Sequence, residues 1–225
     1  MTDSRIPTVI VNFKAYSEVE GDRALHLARI CHNVAEQTGI SIAVCPPATA
    51  IAQIVSSTDV PVFAQHVDPH KPGAATGRLT AQLLHGAGAV GTLINHSERR
   101  LRLADIGVAV DRCHSNQLTT VVCTDTTATS AAAASLKPNA IAIEPPELIG
   151  GDISVTDAQP EIIENTVKAV QKIDDSIEVL CGAGIKTGRD VKRAVELGAS
   201  GVLLASGVVK AADPAAVLTD LIQYL

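Results

Sequence analysis

One pattern in this chain recurs eight times: a run of about five apolar or β-branched residues, a short turn, then a stretch with helical spacing. The runs are Pro7 to Phe13, Ile40 to Cys45, Pro61 to Ala64, Val90 to Ile94, Thr119 to Cys123, Ala140 to Ile143, Glu178 to Cys181 and Gly201 to Leu204. They are continuously apolar instead of alternating, which is how strands covered on both faces read, so the pattern predicts a parallel sheet wrapped by helices. The stretches between them carry helix stop and start signals. Glu18 to Gln37 is followed by Gly39 and Thr187 to Leu197 by Gly198, where glycine takes the left-handed cap. Pro160 and Pro214 fall in the first turns of their helices, where the missing N–H had no intrahelical partner. Ala128 to Leu136 reads as a packing helix with a small-residue face.

Eight βα units in 225 residues can close as a (β/α)8 barrel or spread as a doubly wound sheet. A dinucleotide-binding sheet would show GxGxxG after its first strand, and Asn12-Phe13-Lys14-Ala15 is nothing like it. The expected fold is therefore α/β, a single-domain (β/α)8 barrel over residues 1–225, with no linker and no second domain. In a barrel the loops after strand C-termini carry the chemistry, so the polar residues just past each run are the candidates.

Composition excludes several classes of partner. A net charge of -6 argues against nucleic acid and anionic membranes, and with no Trp, two Tyr and two Phe there is little to stack on bases. Any phosphate bound here should be small and locally held. The N-terminus lacks the apolar core of a signal peptide, and the five cysteines are odd in number, without CxxC spacing and within apolar segments. A cytoplasmic location with reduced, buried thiols is expected. The seven His residues are scattered, and no metal-ligand cluster is visible.

Each candidate has a functional and a plain reading. Asn12 and Lys14 flank Phe13 at the end of the first run, so strand alternation sends both to one side, where Lys14 is a fixed cation for an anionic substrate or a solvated strand-end lysine. His96, in Asn95-His96-Ser97-Glu98-Arg99-Arg100, follows the fourth run and is expected to open a short helix, whose positive end would keep the ring neutral; a structural histidine is the alternative. Glu98 is a natural partner for Lys14, or part of a solvated charge run. Glu144 ends the sixth run and is followed by Pro145-Pro146-Glu147-Leu148-Ile149-Gly150-Gly151, two prolines restricting one side of a loop and two glycines freeing the other. That is a hinged lid carrying a carboxylate, or a surface turn. Cys181-Gly182-Ala183-Gly184-Ile185 and Leu204-Ala205-Ser206-Gly207 place small residues after runs seven and eight, where bare N–H groups can cradle a phosphate or where tight turns need glycine anyway.

The order VNFK, NHSERR, IEPPELIGG, GAGI and LLASG, together with AQHVDP at Ala64 to Pro69, resembles the triosephosphate isomerase family along nearly the whole chain, in particular its shorter archaeal-type members. The resemblance implies a TIM barrel that interconverts dihydroxyacetone phosphate and D-glyceraldehyde 3-phosphate in glycolysis and gluconeogenesis, with no metal and no cofactor. It implies Glu144 as base, His96 as electrophile, Asn12 and Lys14 as substrate contacts and Glu98 as structural partner of Lys14. The phosphate would rest on N–H groups of Ile149, Gly150, Gly151, Gly184, Ala205 and Ser206. Gly184 departs from the serine of longer members, and Ala205-Ser206 from their usual Gly-Gly pair, so backbone donors replace side-chain contacts. Arg78 stands where longer members carry Glu in a loop that packs into a neighbouring subunit, and the short interval from His96 to Glu144 resembles members that assemble as homotetramers built from dimers. A lyase in which Lys14 forms a Schiff base with a sugar phosphate, and a non-catalytic phosphometabolite-binding barrel, are the alternatives.

Overall fold

Each apolar run forms a strand in the computed structural model, which describes Ile6, residues 8–145 and residues 155–225. The strands are β1 (Val9–Asn12), β2 (Ile42–Cys45), β3 (Phe63–Ala64), β4 (Gly91–Ile94), β5 (Thr119–Thr124), β6 (Ala140–Ile143), β7 (Glu178–Cys181) and β8 (Gly201–Leu204). All pair in parallel in the order β2-β1-β8-β7-β6-β5-β4-β3, and a single bridge between Val44 and Val62 joins the two ends into a barrel. Between the strands run α1 (Asp22–Thr38), α2 (Ile51–Val55), α3 (Ala81–Gly86), α4 (Leu103–His114), α5 (Thr127–Ala134), α6 (Val155–Ala158), α7 (Pro160–Gln171) and α8 (Gly188–Glu196), and after the last strand come α9 (Ser206–Val209) and α10 (Pro214–Ile222). This is the (β/α)8 barrel, and the doubly wound alternative is excluded by its closure.

Two separate apolar layers explain why the strands read as continuously hydrophobic. Ile10, Ala43, Cys45, Phe63, Leu93, Val121, Cys123, Leu180 and Leu203 fill the barrel interior, while their sequence neighbours, such as Val9, Val11, Val44 and Val202, pack outward under the helices. The interior is a tight fit: a Cβ on Gly91 would lie 2.3 Å from the Phe63 ring, so a glycine on β4 makes room for the one aromatic inside.

Helix ends follow the local chemistry. Gly39 caps α1 at φ 72°, its N–H donating to the Ala35 carbonyl, as a left-handed C-terminal glycine should. Thr187 and Asp190 form a reciprocal capping box at the start of α8, and Thr126 and Thr129 do the same for α5. The expected helix from Glu18 is shorter than its apolar spacing suggested: Ser17–Val19 is a separate 3-10 turn, and Gly21 at φ 59° breaks the chain before α1 begins at Asp22. The first and third strands are also shorter than their runs, although Phe13 still donates to the Cys45 carbonyl and Val62 still bridges to Val44 beyond the strand ends. Pro7 lies outside the described residues.

Candidate active site

At the C-terminal mouth of the barrel lies a cavity of about 350 Å³ lined by Asn12, Lys14, His96, Glu144, Gly184, Ala205 and Ser206, among others. These candidates come from five different strand ends, so the barrel closure converges them. Ile149, Gly150 and Gly151, with the rest of the expected lid from Pro146, lie outside the described residues.

Lys14 reaches the cavity by a different route from the one expected. β1 ends at Asn12, and Lys14 adopts φ 50°, the left-handed region that non-glycine residues rarely occupy, so strand alternation does not place it. Its N–H donates to Asn12 Oδ1 at 3.0 Å, which makes Asn12 a local brace for that turn. Its Nζ donates to Glu98 Oε1 at 2.9 Å; the lysine side chain is 11% exposed and the glutamate 61%. The partnership of Lys14 and Glu98 is thus present as geometry.

His96 also differs in its local setting. The expected helix at this residue is absent: His96 to Arg99 is one turn, closed by the Arg99 N–H on the His96 carbonyl, and α4 starts only at Leu103. The ring is nevertheless held neutral, its pKa pushed down to about 4 by burial and then by the Lys14 charge. Nδ1 accepts the Glu98 backbone N–H at 3.2 Å, which leaves the proton on Nε2. Nε2–H faces the cavity, 3.6 Å from Glu144 Oε1, too long for a hydrogen bond.

Glu144 is anchored by its own N–H on the Thr124 carbonyl and is 4% exposed. Burial pushes its carboxyl up to about 7, against the Cys123 thiol, Lys14 and Arg100, which pull it down. Oε2 is buried with no hydrogen-bond partner among the described residues. A carboxylate so poorly solvated has a high affinity for a proton, and it sits opposite a neutral ring that can donate one hydrogen bond.

The glycine-rich turn after β7 does a second job that its composition did not reveal. A Cβ on Gly182 would lie 2.3 Å from Glu144 Cγ, so the Glu144 side chain rests on the bare Gly182 backbone. Gly182→Ala is expected to displace the carboxylate and cost about 1–3 kcal/mol by overpacking, read as a lower urea midpoint; an unchanged midpoint would show that the side chain has room to move. Gly184, at φ 69°, lines the cavity wall. Ser206 and Gly207 open α9, where first-turn N–H groups have no intrahelical acceptor.

Asn95 was visible only as the first letter of its motif. At φ 64° it donates from Nδ2 to the Cys123 carbonyl at 2.9 Å and accepts the Leu101 N–H on Oδ1 at 2.8 Å, pinning both ends of the His96 turn. Arg78 turns to its own chain, donating to Asp68 Oδ1 at 2.9 Å. Tyr16 and Lys186 line the cavity and had no motif to announce them. All five cysteines are buried and free, and among the described residues no group of His, Cys, Asp and Glu side chains could hold a metal ion.

The model of the family described as triosephosphate isomerase matches residues 7–225. The chain is 49% identical over 219 residues to the triosephosphate isomerase of Methanobrevibacter smithii, covering 97% of this chain and 99% of that one. It is 48% identical over 217 residues to the protein of the same name from Methanocaldococcus jannaschii, covering 96% and 99%. With that of Methanothermobacter thermautotrophicus it shares 50% over 217 residues, covering 96% and 95%.

Proposed function

The chain belongs to the triosephosphate isomerase family and is an isomerase that interconverts dihydroxyacetone phosphate and D-glyceraldehyde 3-phosphate, and we propose that Glu144 is its base, His96 its electrophile and Lys14 its cation. The observation that carries this assignment is the opposed protonation of two facing groups: a carboxyl pushed up to about 7 and an imidazole pushed down to about 4, 3.6 Å apart on one cavity. A base works best when its pKa lies near the working pH, and a neutral ring can polarise a carbonyl without competing for the proton.

In the forward direction Glu144 takes a proton from the hydroxymethyl carbon of dihydroxyacetone phosphate, and the electron pair moves into the adjacent carbonyl. His96 Nε2–H and the Lys14 ammonium stabilise the negative charge that gathers on the enediolate oxygens. A proton passes from the oxygen of the first carbon to that of the second by way of His96 Nε2, and Glu144 returns its own proton to the second carbon as the first carbon's oxygen becomes the aldehyde carbonyl. Asn12 contacts substrate while bracing Lys14, and Glu98 is the structural partner of Lys14. The phosphate is held by N–H groups of Gly184, Ala205 and Ser206, with Ile149, Gly150 and Gly151 closing over it as a lid. Closure would exclude water from an intermediate that can otherwise expel its phosphate.

We further assign residues 1–225 to one domain, a cytoplasmic location, which the five buried free thiols favour, and a homotetramer built from dimers, measurable by sedimentation equilibrium. No helix among the described residues is long and apolar enough to cross a membrane. The lyase and the non-catalytic alternatives lose their motivation once the chain falls in an isomerase family.

The test is a dehydrogenase-coupled assay across pH. Because Glu144 must be ionised to accept a proton, kcat/KM is expected to fall about tenfold per pH unit below about 7, and more steeply below about 6, where a phosphate monoester also titrates. His96, already neutral above about 4, contributes no limb between pH 5 and 9. A profile flat from pH 5 to 9 would sink the assignment of Glu144.

A further inference from the structure

The segment Ala64 to Pro69, so prominent in the sequence, has no part in the chemistry just described. Its second residue, Gln65, lies immediately beyond β3 and is partly buried. Its Nε2 donates twice, to the Lys14 carbonyl at 2.8 Å and to the Cys45 carbonyl at 2.9 Å. Both partners are carbonyl oxygens, which only the amide nitrogen can satisfy, so the orientation of the side chain is fixed by its neighbours. The Cys45 carbonyl also receives the Phe13 N–H at 3.0 Å, so one side chain ties together the ends of β1, β2 and β3.

The clamped residue is one of four non-glycine residues with positive φ among the described residues. Lys14 holds φ 50°, where a side chain crowds the backbone, and it must be held there from outside. Its N–H is held by Asn12 Oδ1 and its carbonyl by Gln65 Nε2, so its peptide groups are braced on both sides. Release of the carbonyl would let Lys14 return to an ordinary extended or helical conformation. Its ammonium, now aimed past Asn12 at the cavity and paired with Glu98, would then point elsewhere.

We propose that Gln65 is a positioning residue for this isomerase, its amide locking the Lys14 carbonyl so that the Lys14 ammonium stays at the cavity. The proposal rests on the assignment of Lys14 as the catalytic cation. Gln65 touches no substrate; it acts through Lys14, 51 residues away in sequence.

A double-mutant cycle in the coupled assay tests it. Gln65→Met keeps the length of the side chain and removes both donors, and it is expected to lower kcat about tenfold while KM rises less, a loss of preorganised stabilisation by a misplaced group. In a Lys14→Met background, Gln65→Met is expected to change kcat by less than about twofold, because there is no longer an ammonium to position. Equal losses in the two backgrounds would overturn the proposal and make Gln65 a general support of the barrel mouth. If Lys14→Met alone left kcat intact, the assignment of Lys14 would fail whatever Gln65 does, so the two failures are distinguishable. Should Gln65→Met not fold, Gln65→Glu, of the same size but turning an oxygen toward at least one carbonyl, takes its place in the cycle. Failure of both to fold would also overturn the proposal, since Gln65 would then be a determinant of the fold and not of Lys14.

Discussion

Glu144→Gln is expected to lower kcat about a thousandfold and, at pH 8, to raise the melting temperature of the free enzyme. The activity loss follows from removing the one carboxylate that lines the cavity among the described residues, and such an acid–base group contributes about 10²- to 10⁴-fold. The stability gain follows from linkage. The folded-state pKa of Glu144 is raised from 4.5 to about 7, so between those values the native state keeps a proton that the unfolded chain has released. Wild-type stability therefore falls as pH rises through that window, and above about 7 the full cost of a buried carboxylate is present. A shift of this size corresponds to about 3 kcal/mol, and the glutamine amide, itself needing partners in the same pocket, gives some of that back. A net gain of about 1–2 kcal/mol, or about 2–8 °C, is expected at pH 8, shrinking toward pH 5 as the wild-type carboxyl is protonated. His96 has the opposite slope, since its depressed pKa makes stability rise from about pH 4 to 6.5, but it is present in both proteins and cancels in the difference. Thermal unfolding at pH 5 and pH 8 beside the coupled assay checks both halves. A variant within tenfold of wild-type kcat, or a melting difference that does not depend on pH, would contradict the role or the burial cost respectively.

Lys14→Met is the second large effect, and it is expected to act on kcat as well as KM. With a net charge of -6 the chain repels a dianionic triose phosphate on average, so attraction must come from cations at the mouth. Lys14 is 11% exposed, whereas its partner Glu98 is 61% exposed. Water screens the exposed carboxylate, so the pair itself adds little stability and the field of the ammonium is not cancelled inside the cavity. Loss of a preorganised charge at a developing oxyanion costs about 10²- to 10³-fold in kcat, and a further rise in KM comes from weaker recruitment. The same substitution should move two titrations. Lys14 helps to lower both the His96 and the Glu144 pKa, so without it both rise, and the acid limb of kcat/KM shifts to higher pH. A variant with normal kcat, raised KM and an unmoved limb would mean that Lys14 only recruits substrate.

Much of the site was legible because strand ends can be recognised from composition. Glu144 follows an apolar run directly, and the barrel rule that chemistry follows strand C-termini makes it a candidate, as it does His96, while the roles came from the family resemblance. Local pattern gives the wrong cause for two of the site's side chains. Alternation does not place Lys14, because the strand stops at Asn12, and no helix forms at His96 to keep its ring neutral. Local pattern cannot tell where a ladder ends when apolar residues continue past it, nor whether an N–H-rich turn continues into a helix. Gly182 was legible as a small residue but not as the floor beneath Glu144, because that contact joins β7 to β6. Gln65 was visible as a motif letter with no task.

The amino-acid sequence alone determined the eight βα units and their parallel arrangement, because periodicity and residue type are properties of short stretches of chain, while the three residues proposed for the chemistry were strand-end candidates that the family resemblance singled out. Tertiary structure alone decided the left-handed backbone of Lys14, the Nε2 proton of His96 and the raised pKa of Glu144. Each of these depends on burial or on a partner brought near by closure of the barrel, as when Glu98, 84 residues from Lys14, meets its ammonium. Desolvation and through-space charge act over a few ångströms in space, whatever the separation along the chain, and only the closed barrel sets those distances.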